Sequence, residues 1–390
     1  MNSMNRKQFL KLSGLALTIP GFLEMCSSIN PRLTGKSDDP IGNAEAKGFE
    51  YPILKAISTG ITAPNPHNVQ PWKVKIINPT EMLLFVDEKR LLPVTDPPTR
   101  QIHIGQGTFL ELLKVGAAKM SYKSEIKLFP EGEYTREEIG KKPVAKVSLI
   151  QDTSTRSPLY EYVTKRTTDR SEYYGDELSK SEAEKLSSLG KAESSELGFI
   201  LGKKEILPYI DIFNRAMEVE SYTRHLNDES RIWFRFSDTE IQKKRDGIAL
   251  PDQGVTGFTR FMAETFFMGP EPDKFNNKTG LEVFLSRYRK KIDSTKGIVY
   301  WKTKTNTMKD WVLTGMDYAR FHLGTVALGF KMHPLSQVLQ EYPEMETLRG
   351  DFEKKMGIMG KEKIQMIARL GRGDYFYLTP RRNLNDIILG

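Results

Sequence analysis

The stretch Ala63-Pro-Asn-Pro-His-Asn-Val-Gln-Pro-Trp72, followed at once by Lys73-Val-Lys-Ile-Ile77, decides how this chain is read. Pro64, Pro66 and Pro71 push the residues before them toward extended or polyproline geometry and stiffen the loop. A loop ordered in advance presents Asn65, His67, Asn68 and Gln70 to a ligand at low entropic cost. Their polar groups offer donors and acceptors together, which suits a ring that alternates C=O and N–H groups. A plainer alternative stays open: a rigid turn that feeds a strand, with Trp72 simply buried.

Outward from this loop, Trp72 to Ile77 alternates as a half-buried strand does. Met82-Leu-Leu-Phe-Val-Asp87 makes a second strand across the Asn78-Pro79 turn. Upstream, Pro52 to Ser58 has helical spacing, with Ile53, Leu54 and Ile57 on one face. Downstream, the pattern predicts a helix over about 101–120 and a strand over Val144 to Ile150. From Ser157 it turns helical, at about 157–166, 179–188 and 204–228, while residues 229–300 are less periodic. A helix at about 308–330 and a closing strand, Lys363 to Leu370, complete an α+β reading of short strands interleaved with long helices. Gly105, Leu113 and Ala117 echo the spacing of Gly315, Leu323 and Ala327, and a period of about 210 residues hints at duplication.

Two further segments carry chemistry. Lys165-Arg-Thr-Thr-Asp-Arg170 places hydroxyls between two guanidiniums, a clamp for a phosphate and a polyol, or else a solvated helix end. Arg369-Leu-Gly-Arg-Gly373 closes the last strand with two arginines and with glycines that let the backbone approach a ligand. It reads equally well as a turn.

Together these segments resemble the FMN-dependent nitroreductases. Residues 63–72 resemble their "APSxxNxQPW" motif and Lys165 to Arg170 their "RRSxR" motif. The helix at 314–330 with Lys331-Met-His-Pro-Leu-Ser336 resembles their second long helix and the loop after it. In that family the arginine motif normally comes first, and two identical subunits share each FMN. Here the order is reversed, which resembles the Acg branch, where one chain carries both halves of the dimer.

The resemblance spans about residues 50–375 and skips 229–300. It implies mostly antiparallel sheets flanked by long helices, in two related halves at 49–155 and 156–390; the stretch it skips, about 229–300, reads as an insertion in the second half, large enough to form a lid. It implies FMN as cofactor, with Pro64, Asn65, Pro66, Asn68 and Gln70 along one side of the flavin. Arg166, Thr167, Thr168 and Arg170 would hold its phosphate and ribityl chain, with Arg369 and Arg372 as further phosphate partners. Pro334, Leu335 and Ser336 would lie near the ring. Asn65, Lys165 and Asp169 depart from the family pattern, where Ser, Arg and Asn are usual. The implied activity passes hydride or electrons from a small-molecule donor through the flavin to a small acceptor such as a nitroaromatic or quinone. No side chain need act as nucleophile, and no catalytic residue is named. The chain would work as a monomer that is internally a pseudo-dimer. A second reading is a non-catalytic protein that sequesters or stores FMN, and a third is a cell-envelope structural protein.

Composition narrows the field. The 390 residues carry 58 Lys+Arg against 50 Asp+Glu, a net charge of +8, and one cysteine. A single cysteine makes no internal disulfide and excludes Cys-rich zinc sites and iron–sulfur clusters. The histidines lack metal-ligand spacing, and no dinucleotide or ATP glycine motif is present, so no metal is expected. The basic run Ser286-Arg-Tyr-Arg-Lys-Lys291 reads as a solvated helix face, so no nucleic acid is expected as a partner. Phe261, Met262, Thr265 and Phe266 share helical spacing, as core or as a lid.

At the N-terminus, Arg6, Lys7 and Lys11 lead into an apolar run that ends near Leu23, the layout of a secretory signal. The run is shorter than the roughly 20 apolar residues that span a bilayer. Asn5 to Lys11 resembles a twin-arginine export signal with Lys7 at the second arginine. Cys26, after Leu23-Glu24-Met25, resembles a lipoprotein box. The expectation is a signal or anchor at 1–30 and a linker at 31–48. The protein would then be exported to the periplasm or cell envelope, with membrane attachment through Cys26. An amphipathic N-terminal helix on a cytoplasmic protein is the alternative.

Overall fold

The computed structural model describes residues 51–389. Cys26, the signal and the linker lie outside the described residues. Helix α1 (Pro52–Gly60) starts on a proline at its first turn, where the missing N–H costs nothing. Strands β1 (Trp72–Asn78) and β2 (Glu81–Val86) form the expected hairpin. Helix α2 (Arg100–Lys119) follows, then β3 (Tyr122–Leu128) and β4 (Ala145–Gln151). The four strands form one antiparallel sheet in the order β1-β2-β4-β3.

The second half opens with α3 (Lys180–Leu189), started by a Ser179–Glu182 capping box, and with β5 (Glu196–Ile200). A long excursion then carries α4 (Lys203–Tyr222), α5 (Arg224–Ile232), α6 (Asp238–Lys244), α7 (Gly257–Met262), α8 (Pro272–Phe275) and α9 (Lys278–Asp293). The chain returns through β6 (Gly297–Thr303), α10 (Met308–Ala327), β7 (Lys331–Pro334), α11 (Glu346–Lys355) and β8 (Lys363–Gly371). The second sheet is also antiparallel, in the order β5-β6-β8-β7.

Both sheets therefore order their strands first, second, fourth, third. In both, a 20-residue helix joins the second strand to the third. Those two helices, α2 and α10, pack against each other where the halves meet. The contact is reciprocal. A Cβ on Gly107 would lie 1.9 Å from the Val312 carbonyl oxygen, and one on Gly315 would lie 2.0 Å from that of Ile104. Only glycine permits so close an approach. Gly315 thus meets Gly107, while Gly105, its counterpart in the spacing echo, sits against the Asn65 side chain. Gly116 and Gly324 repeat the same offset.

Several expectations change. The helix expected at 157–166 is only a short turn at Tyr160–Tyr162. The chain beyond it is extended, bridging Thr168 to Met332 beside β7. The helix expected at 204–228 breaks at Thr223, whose extended backbone (φ −84°, ψ 104°) separates α4 from α5. The irregular region expected at 229–300 contains α5 to α9 and the start of β6, a buried strand. After β8 the chain runs back to the first half, where the Val74 N–H donates to the Ile387 carbonyl (2.9 Å) and the Leu389 N–H to that of Val74 (2.7 Å). This tail covers the exposed edge of β1.

Candidate functional site

The proline-rich loop is held by its own polar side chains. The Gln70 N–H donates to Asn65 Oδ1 (2.7 Å), and Asn65 Nδ2 donates to the Ala63 carbonyl (3.1 Å). Asn68 Oδ1 accepts from the Arg381 guanidinium (2.9 Å), and its Nδ2 donates to the Pro380 carbonyl (3.3 Å). Gln70 Nε2 donates to the Arg245 carbonyl (2.8 Å), and Gln70 Oε1 accepts the Arg382 N–H (2.8 Å). These bonds hold His67, Asn68 and Gln70 at φ of 46°, 51° and 51°, a left-handed conformation that costs side-chain-bearing residues energy. The amides expected to read a ring are therefore occupied in fixing the loop. Among the loop's polar side chains, His67 keeps a ring nitrogen, Nδ1, without a protein partner.

This loop borders a cavity of about 500 Å³, a volume typical of small-molecule sites. Pro64, Asn65, Pro66 and Asn68 line it together with Arg166, Thr167, Thr168 and Arg170, and with Pro334 and Ser336. Segments far apart in sequence thus converge on one space, which α2 and α10 border through Gly105 and Tyr318. Four of the expected residues lie off its wall. Gln70 is buried behind the loop, and Leu335 packs in the second half's core. Arg369 is fully buried, donating to the Ser171 carbonyl (2.7 Å) and to His333 Nδ1 (2.9 Å) while stacking 3.9 Å over the Tyr173 ring. Arg372 pairs with Glu182 (3.0 Å) and covers Phe330. Both arginines satisfy protein groups rather than the cavity.

The cavity's electrostatics follow from burial. Arg166 Nη2 donates to the Thr62 carbonyl (2.7 Å), and burial lowers its pKa to about 10. Arg170 donates to the Asp252 carbonyl (3.1 Å). Burial raises the Asp252 carboxyl to about 6, against the pull of Arg170. Burial and then Arg170 push His67 down to about 4, so its imidazole is neutral at pH 7, with Nε2 3.2 Å from Ser230 Oγ. His333 is also neutral, held well below the usual imidazole range by burial and Arg369. Because its Nδ1 accepts from Arg369, its proton sits on Nε2. His67 Nδ1, Arg166 Nε, Thr167 Oγ1, Asp252 Oδ1 and Gln340 Oε1 are buried without a protein partner, and all five residues line the cavity. Buried polar atoms are nearly always paired, so these five are available to a bound polar group.

Sequence reasoning missed two contributors. Tyr377 and Arg381 reach the cavity from the C-terminal tail, which has no motif to announce it. Arg287, Tyr288 and Lys291 also line it, so one face of the run expected to be solvated is a cavity wall; their i, i+4 spacing was the available signal. Of the residues read as core or lid, Met262 lines the cavity, beside Ala263, while Phe261 is 38% exposed.

No family model matches the chain. Over 90 residues, 22% of its length, it is 29% identical to a provisionally named NAD(P)H nitroreductase of Mycobacterium tuberculosis, found in strains CDC 1551 and H37Rv. Among solved structures, it is similar to a provisionally assigned nitroreductase from Anabaena variabilis (10% identity, 89% of this chain and 93% of that one, TM-score 0.43). It is also similar to the FMN- and NADPH-dependent nitroreductase of Sphigopyxis sp. strain HMH (12% identity, 60% and 99%, TM-score 0.37). The likeness in sequence is thus to nitroreductases, and the aligned stretch spans 26% of the length of those mycobacterial relatives.

Proposed function

We propose that this chain binds FMN in the cavity between its halves and acts as a nitroreductase-like oxidoreductase. One observation carries the reading: the proline loop, the Arg166–Arg170 segment and the β7 loop meet around unpartnered buried polar atoms. The sequence likeness to a named nitroreductase supports it. Bound FMN would supply two-electron chemistry, taking hydride or electrons from a small-molecule donor and passing them to a quinone or nitroaromatic. Arg166 and Arg170 would hold the phosphate and Thr167 and Thr168 the ribityl hydroxyls. The rigid proline loop would orient the ring, with neutral His67 offering Nδ1. The apolar side chains of α4 and α7 that line the cavity, Met217 and Met262 among them, would exclude water.

The matching strand orders and the reciprocal Gly107–Gly315 contact support two related halves that form an internal pseudo-dimer in one monomeric chain. Export with lipid attachment at Cys26 belongs to the same proposal. Membrane fractionation of Cys26→Ser beside the native protein tests it, and an unchanged distribution refutes the anchor.

The purified protein should be yellow and release FMN on acidification, and its reduced flavin should be reoxidised by a quinone or nitroaromatic. A preparation that stays colourless after FMN addition would refute the proposal. Replacing Arg170 with Ala removes a charge-assisted phosphate contact, about 2 kcal/mol or ~30-fold in FMN affinity. Fluorescence titration checks this, and unchanged affinity would place the phosphate elsewhere.

A further inference from the structure

Helix α9 turns Phe284, Arg287, Tyr288 and Lys291 toward the cavity, a single stripe at helical spacing. The stripe pairs two aromatic rings, with centroids 6.3 Å apart, with two cations. Among the described residues neither cation is in an ion pair: the Lys291 ammonium donates to the Gln253 carbonyl (2.5 Å), and no carboxylate pairs with Arg287. Burial, and then Arg170, Arg369 and Arg287 around it, lower Lys291 to a pKa of about 8, with Glu172 pulling the other way. Cations thus outnumber anions around Lys291.

Among the described residues, Arg166, Arg170, Arg287 and Lys291 face Glu220 and Asp252 on the cavity wall, while Arg381 is held by the Thr62 and Ala63 carbonyls. Burial raises those two carboxyls to about 7 and about 6, so Glu220 is only partly ionised at neutral pH. A phosphate monoester brings about two negative charges. With it bound between Arg166 and Arg170, the Arg287 and Lys291 side chains of α9 would remain without an ion-paired carboxylate of their own.

We propose that α9 seats an anionic aromatic acceptor, with Phe284 and Tyr288 packing on its ring and Arg287 and Lys291 pairing with its acidic group. The word acceptor rests on the flavin reading above; the anion seat itself does not. The excursion between β5 and β6, which has no counterpart between β1 and β2, would then select substrates as well as cover the site. A neutral ring would gain the stacking alone, and an acidic one would gain the charge-assisted bonds in addition.

Calorimetric titration of the full-length protein, as purified, with 4-nitrobenzoate and with nitrobenzene tests the seat. The carboxylate should bind about tenfold more tightly. Added sodium chloride should narrow that gap, and in an Arg287→Gln/Lys291→Met variant the two affinities should converge. Arg287→Lys/Lys291→Arg, which keeps the charge, should retain the preference and so separates loss of the seat from loss of fold. Equal affinities in the native protein overturn the proposal. So does a fall in the double variant's affinity for FMN relative to riboflavin, because the pair would then serve the cofactor's phosphate. A protein that takes up no flavin yet keeps the carboxylate preference would refute the flavin reading and uphold the seat.

Discussion

Gly315→Ala should destabilise the fold by about 3 kcal/mol, near the upper end of overpacking costs, and Gly315→Val by more. The new Cβ would sit 2.0 Å from the Ile104 carbonyl oxygen and 3.0 Å from the Gly107 Cα, both backbone atoms that no rotamer change can clear. The helices would have to part, opening the junction of the two halves and disturbing Gly105 and Tyr318 at the cavity. Alanine's helical propensity returns at most about 1 kcal/mol, so the sign stands. Gly350→Ala, in α11 with nothing within 4 Å of the added methyl, supplies the control and should stabilise slightly. Urea unfolding followed by circular dichroism checks both. Equal midpoints for the two variants would mean that α2 and α10 do not cross at these glycines.

A second large effect is expected at the same junction. Arg320 of α10 forms a bidentate pair with Glu111 of α2, at 2.7 and 2.8 Å, with side-chain exposures of 10% and 3%. Glu111→Ala leaves a buried guanidinium short of its main partner, a change that costs about 3–5 kcal/mol in comparable buried pairs. Asp317 and Glu193, at 3.3 and 3.2 Å from Arg320, place the expected loss at the lower end, about 3 kcal/mol. Glu111→Leu/Arg320→Met should recover most of that stability, because an apolar pair needs no compensating charge. The double-mutant cycle measures the coupling, and a loss below about 1 kcal/mol in Glu111→Ala would show the pair to be dispensable.

Local regularity explains what could be read early. The β1–β2 hairpin has strict alternation and a clear turn, and α2 and α10 have long apolar periods, so each was legible with small errors at its ends. Strand β3 (Tyr122-Lys-Ser-Glu-Ile-Lys-Leu128) was not, because its exposed, charged face carries little apolar signal. The segment at 157–166 misled for the opposite reason. Its helical spacing is real, but Arg166 is drawn into the interior to bond the Thr62 carbonyl, and the chain beside it extends along β7. A tertiary contact overrode a weak local preference.

The α+β class, the stiff proline loop and the arginine segment were all decided locally, by proline geometry, periodicity and side-chain chemistry. Only the folded chain decided which side chains meet a ligand. Asn68 and Gln70 have the right chemistry to read a ring, yet their partners, Arg245, Pro380, Arg381 and Arg382, come from distant segments and occupy them. Lys291 looked like one charge in a solvated run until the packing of α9 turned it inward. A hydrogen bond forms where geometry brings two groups within about 3 Å, and sequence spacing does not carry that distance for residues hundreds of positions apart.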